Sequence, residues 1–169
     1  RKAGCLGFGE HKTELAIDDF RSKWLYKACA ELNWPVLIHL DHLVPFQLNW
    51  DEPGLPRFQR LLEELPDVVF IMHGPGWWSE LSAYAPPGVT YPTGPIQMGG
   101  VADRLLSEAP NVYADLSAQS AYNALTRDPD FTPGFLRRNW QKLLFGTDYL
   151  KPGQECPIVE WMEKVDIPE

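Results

Sequence analysis

The stretch Val36-Leu37-Ile38-His39-Leu40-Asp41, which opens after Pro35, decides how the rest of the chain is read. A near-continuous aliphatic run of this length marks a buried strand, and its carboxyl end delivers His39. The pattern repeats. Val68-Val69-Phe70-Ile71-Met72 leads into His73-Gly74, and Leu143-Leu144-Phe145-Gly146-Thr147 leads into Asp148. Upstream, Gly4-Cys5-Leu6-Gly7-Phe8-Gly9 leads into Glu10. Each of these apolar strands ends on a side chain able to bind a metal or move a proton.

Helical spacing fills the intervals. Asp18 or Asp19 caps a helix running to about Asn33, with Phe20, Trp24, Leu25, Ala28, Cys29 and Leu32 on one stripe. Pro56 starts a second helix on Phe58, Leu61, Leu62 and Leu65. A short helical stretch reaches Tyr84, and further helices are predicted over Gly100–Ala109, Ala118–Leu125, Pro133–Gln141 and Pro157–Val165. Asn111–Leu116 supplies another strand. Two segments read as loops: one with His42, Phe46, Trp50, Asp51 and Glu52, and residues 86–100, long enough to be a lid.

Strand and helix alternate five times, which implies crossovers and a parallel α/β sheet. A doubly wound sheet and a barrel both fit, and both place ligands at the carboxyl ends of the strands. Gly7-x-Gly9-Glu10 lacks the complete Gly-x-Gly-x-x-Gly phosphate fingerprint, and polar groups end at least four strands instead of one switch point. Both features favour a (β/α)8 TIM barrel. A full barrel typically takes about 250 residues, so the 169 residues are expected to form one domain, a partial barrel of about five βα units.

Bulk properties narrow the partners. The net charge is −8 without a Lys/Arg-rich run, which argues against nucleic acid. No apolar run approaches the ~20 residues of a membrane helix. Cys5, Cys29 and Cys156 are an odd set without a Cys-x-x-Cys pair, read as buried, reduced thiols in a cytoplasm-like compartment.

A metal site needs rigid ligands from separate elements, and imidazole with carboxylate suits zinc, manganese or iron. His39, His73 and Asp148 offer that mixture. Glu10 reads as a further ligand, as an acceptor for an imidazole N–H, or as a solvated loop residue. His11 is expected to point away from it. Lys12 pairs with Glu10, binds a substrate carboxylate or is simply a surface lysine. Trp77 and Trp78 either wall an apolar substrate or pack internally, and His42 lies in a loop near the same mouth. Asp115 and Ser117 end their strand without a metal-like partner in sequence and are read as structural or mouth-lining. No Gly-x-Ser-x-Gly elbow is present.

The set Gly7-Phe8-Gly9-Glu10, Val36-Leu37-Ile38-His39, Phe70-Ile71-Met72-His73-Gly74, Asn111-Val112-Tyr113-Ala114-Asp115-Leu116-Ser117 and Leu144-Phe145-Gly146-Thr147-Asp148 resembles the amidohydrolase superfamily. Within it, the likeness is to the amidohydrolase-2 branch related to aminocarboxymuconate-semialdehyde decarboxylase. The resemblance implies a metal-dependent barrel in which His39 and Asp148 match ligand positions. His73 matches a ligand or acid/base position, and Glu10 a position where some members place a metal-bridging residue. The family's first-strand His-x-His has no counterpart here. By the resemblance, Arg1 falls around the third or fourth barrel strand, so the N-terminal strands and two ligands lie outside this sequence.

Three functions follow as expectations. The first is a metal-dependent hydrolase acting on a small-molecule amide, ester or lactone, with Asp148 taking a proton and His73 polarising the substrate or protonating the leaving group. The second is a non-oxidative decarboxylase on the same scaffold. The third is a truncated barrel serving as a binding or assembly module. A divalent metal, most simply zinc, a small-molecule substrate and a possible homo-oligomer belong to the first two.

Overall fold

A computed structural model describes residues 3–42, 48–86 and 88–167; Phe46 lies outside them. The quoted stretch is the strand β2 (Val36–His42), flanked by β1 (Phe8–His11) and α1 (Phe20–Glu31) before it in the chain. After it come β3 (Asn49–Asp51), α2 (Pro56–Glu64), β4 (Phe70–His73), α3 (Pro75–Ser79) and α4 (Val101–Glu108). The chain continues with β5 (Val112–Asp115), α5 (Ala118–Thr126), α6 (Thr132–Asn139), β6 (Leu143–Leu144) and α7 (Pro157–Lys164). All strand pairs are parallel, in the order β1-β2-β4-β5-β6, with β3 pairing the carboxyl end of β2. This is the α/β architecture of alternating βα units expected of part of a barrel.

Period-two alternation sorts the strand residues onto two faces. Val36, Ile38 and Leu40 of β2 and Phe70 and Met72 of β4 are fully buried beneath the helices. Leu37, His39 and Asp41, which alternate with the β2 set, are less buried and face the other way. The helix-side core joins Phe58 of α2, Trp77 and Trp78 of α3 and Phe135 of α6 in edge-on aromatic contacts, Phe58–Trp77 at 6.2 Å and Trp78–Phe135 at 6.3 Å between ring centroids. Edge-to-face contact suits the ring quadrupoles and adds to the gain from area alone.

Several expectations need correction. On α1 the buried positions are Ser22, Tyr26 and Cys29, whereas Phe20 and Trp24 are 60% and 70% exposed. Tyr26 takes the core because its ring meets Phe70 edge-on and its hydroxyl donates to the Ile17 carbonyl, so its polar atom is satisfied inside. Asp19 does cap this helix, accepting from the Arg21 amide. The first strand begins at Phe8, not Gly4, which leaves Cys5 exposed; Cys29 is buried, and all three cysteines are free. Part of the expected loop after His42 is strand β3, whose buried Asn49 and Asp51 are satisfied by local bonds to Thr13 and to the amides at the start of α2. The expected strand over Leu143–Asp148 pairs only at Leu143 and Leu144.

In the described part of the expected lid, residues 86 and 88–100, two backbone amides are pinned by side chains. The Ile96 amide donates to Asp128, beyond the far end of α5, and the Gln97 amide donates to Ser82. No described helix is long and apolar enough to cross a membrane.

Candidate metal centre

Parallel register carries one residue from each of four strands to the same edge of the open face. His39 stands directly across from His73, and the preceding pairs Ile38–Met72 and Met72–Ala114 bring Asp115 alongside His73. A register shift in β1 between Phe8 and His11 turns Glu10 toward His39. His11, as expected, points the other way, buried against Ser22 and Tyr26.

Each imidazole is held at Nδ1 by a carboxylate. His39 Nδ1 lies 2.7 Å from Glu10 Oε1, and His73 Nδ1 lies 3.2 Å from Asp115 Oδ1. Glu10 Oε1 is also 3.6 Å from His73 Nε2, while Lys12 Nζ sits 2.9 Å from Glu10 Oε2. Behind Asp115, Ser117 donates its amide at 2.7 Å and its hydroxyl to Oδ1, and its Oγ is 3.2 Å from His73 Nδ1.

Charge follows this pairing. Burial by itself would raise the Glu10 carboxyl, but the bonds to Lys12 and His39 and the nearby His73 hold it below the usual range. Burial pushes the His39 imidazole down, against the pull of Glu10. Burial also opposes ionisation of Asp115, yet His73 and Ser117 together keep it below its ordinary value. An ionised Glu10 beside a His39 imidazole that burial keeps toward its neutral form matches the protonation states a cation requires of its ligands.

Donor atoms of Glu10, His39 and His73 lie within 4.8 Å of one another, near enough to share one ion. With Nδ1 of each ring occupied by a carboxylate, Nε2 is the nitrogen left to ligate, the arrangement in which metal-bound histidines are usually oriented. The donor set therefore fits a divalent metal of the zinc, manganese or iron kind.

The remaining candidates lie elsewhere. Asp148 is half-buried beyond the end of β6, in a left-handed conformation with φ of 53°, and its carbonyl accepts from the Gln154 side chain. It is not among the donors that converge within 4.8 Å, and strand pairing stops at Leu144, before the chain reaches it. Trp77 and Trp78 are 0% and 1% exposed, so they pack in the core and offer no wall to a substrate; the Trp78 indole N–H donates to the Asp115 carbonyl. His42 sits on the opposite face of β2 from His39, with Nε2 2.6 Å from Ser79 Oγ and 3.5 Å from Glu80 Oε1. Lys12 is at the mouth, on Glu10.

Asp115, expected from the sequence to be structural or mouth-lining, is the carboxylate partner of His73. Its signal was available: it ends an aliphatic strand as His39 and His73 do, and only the register pairs it with His73.

Parallel βα units with histidines and carboxylates at adjacent carboxyl ends define the class, a barrel-type α/β protein with a metal-competent site. A family model described as amidohydrolase matches residues 6–168, and the chain belongs to that family. The family is broadly one of metal-dependent hydrolases and decarboxylases. No curated protein and no solved structure matches the chain.

Proposed function

We propose that the chain carries the later part of a metal-dependent hydrolase barrel, acting on a small-molecule amide, ester or lactone. The observation that carries this reading is the convergence of Glu10, His39 and His73 within 4.8 Å at three strand ends. When bound there, a divalent ion, most simply zinc, would acidify a water to a pKa of about 7 and polarise a carbonyl. His39 and His73 would hold the ion through Nε2, with Glu10 as a further ligand or as the group that orients His39. Where His73 does not ligate, it would instead serve as the acid for the leaving group, and Asp148, outside the donor cluster but two residues past the Gly146 contact with Asp115, would be the base. Lys12 would neutralise Glu10 and face the incoming substrate.

Non-oxidative decarboxylation on the same scaffold, as in the aminocarboxymuconate-semialdehyde decarboxylase branch, is the second reading. Lys12 favours it, as a half-exposed cation 2.9 Å from the Glu10 carboxylate and able to receive a substrate carboxylate. In both readings the partner is a small molecule in the cytoplasm and not nucleic acid, consistent with the net charge of −8, and self-association is possible.

The deciding experiment loads the protein with zinc, manganese or iron and measures bound metal, released acid or amine, and released CO2. Acid or amine release lost in His39→Ala and Asp148→Asn supports the hydrolase; CO2 release supports the decarboxylase. Absence of stoichiometric metal, with any activity indifferent to both substitutions, would return the chain to a non-catalytic module.

A further inference from the structure

Two histidines side by side in one register are oriented by different means. Glu10 takes the Nδ1 side of His39 at 2.7 Å and is itself shared with Lys12 and His73. Asp115 takes the Nδ1 side of His73 and does not belong to the group of donors that converge on a common point. Its Oδ1 collects the Ser117 amide, the Ser117 hydroxyl and the imidazole. Its Oδ2 faces Gly146, where a Cβ would come within 3.0 Å, so the first residue of the Gly146-Thr147-Asp148 turn packs on the same carboxylate. The Trp78 indole N–H, fixed in the core, holds the Asp115 carbonyl.

We infer that Asp115, locked by Ser117 and Trp78, is the positioning residue of the candidate metal centre. It fixes His73 as the Nδ1–H tautomer, directs Nε2 at the Glu10–His39 side, and sets the approach of the turn that carries Asp148. This rests on the metal-site reading for its consequence but not for its geometry. An ionised carboxylate can only accept, so the imidazole nitrogen facing it must carry the proton. The other nitrogen then keeps its lone pair for a ligand or a substrate proton. A neutral amide at position 115 can present either face and removes that constraint.

The test reads the tautomer of His73 by 15N NMR at about pH 8, above the ordinary imidazole range, and zinc affinity by competition with a chromophoric chelator. Wild type should show Nδ1–H, and Asp115→Asn should lose that single tautomer and weaken zinc by about 10–100-fold. Gly146→Ala, which removes no polar group but crowds Oδ2, should weaken zinc in the same direction. An Nε2–H tautomer in wild type overturns the inference whether or not Asp115→Asn folds. So does wild-type zinc affinity in Asp115→Asn together with an unchanged tautomer. If wild type binds no zinc, the metal reading falls, while the tautomer still judges the part assigned to Asp115.

Discussion

His39 and His73 face each other across adjacent parallel strands, their ring centroids 5.0 Å apart, and each turns its Nδ1 toward a different carboxylate. Two imidazoles this close would repel if both were protonated, and burial already disfavours charge on His39. A divalent cation held by His39, His73 and Glu10 would relieve that conflict, since both rings would then stay neutral. Zinc should therefore bind wild type and raise its unfolding midpoint, because a ligand of the native state alone stabilises it by mass action. His39→Ala and His73→Ala should each abolish the zinc-dependent shift in a thermal melt. A full shift in either variant would place the ion elsewhere.

Glu10 separates ligation from orientation. Glu10→Gln keeps a carbonyl able to accept from His39 Nδ1 but removes the charge that pairs with Lys12. Loss of an orienting group costs zinc affinity about 10–100-fold. A ligand carboxylate lost outright should cost more. Chelator competition on Glu10→Gln and Glu10→Ala measures the difference. Equal, undiminished affinity in both would remove Glu10 from the site.

Trp77 gives a prediction about stability instead of substrate. Its ring is fully buried against Phe58, so Trp77→Ala should destabilise by about 3–5 kcal/mol through lost contact and a residual cavity. Urea denaturation checks this. A variant of unchanged stability with altered substrate affinity would restore the ring to the mouth of the site.

The strands were legible because the runs ending at His39 and His73 are aliphatic and short, and that reading also put both histidines at equivalent ends. What stayed hidden depends on register and rotation. Asp115 became a partner of His73 only once β4 and β5 were aligned residue by residue. Trp77 and Trp78 follow a strand end that faces the site, yet the turn at Gly74 sends them back under the sheet. On α1 the bulky Phe20 and Trp24 pack on each other at the surface, while Tyr26 fills the interior. All three rings are large, and the edge-on contact of Tyr26 with Phe70 together with its hydrogen bond to Ile17 satisfies Tyr26 inside.

Acid should destabilise the fold through His11. Burial depresses its pKa below 6.5, and its Nε2 meets Ser22 Oγ at 3.2 Å. The unfolded state then takes up the proton first. The contribution of His11 is present above the unfolded value of 6.5 and is lost as pH falls through the lower folded value. His39 and His42 shift the same way. Replacing His11 by Gln removes one titrating group, so the fall in urea midpoint between about pH 7.5 and about pH 5.5 should shrink relative to wild type. An identical fall in both proteins would assign the acid sensitivity to other groups.

The glycine after His73 is required by the site itself. Gly74 has φ of 96°, and a Cβ there would come within 2.6 Å of the Leu40 carbonyl and 2.9 Å of the His39 ring. Gly74→Ala therefore combines an unfavourable left-handed backbone with a clash against β2, and should destabilise by more than the roughly 0.4–1 kcal/mol that an unstrained Gly→Ala change gains. The ring of His39 is the softer of the two obstacles, so relief of the clash should push that imidazole off Glu10. Urea midpoint and zinc affinity should then fall together in Gly74→Ala. The same substitution at Gly54, where φ is 82° but nothing lies within 4 Å of the new Cβ, should lower stability and leave zinc affinity intact. Zinc affinity preserved in both would mean that β2 can yield without moving His39, and that the close approach at Gly74 serves packing alone.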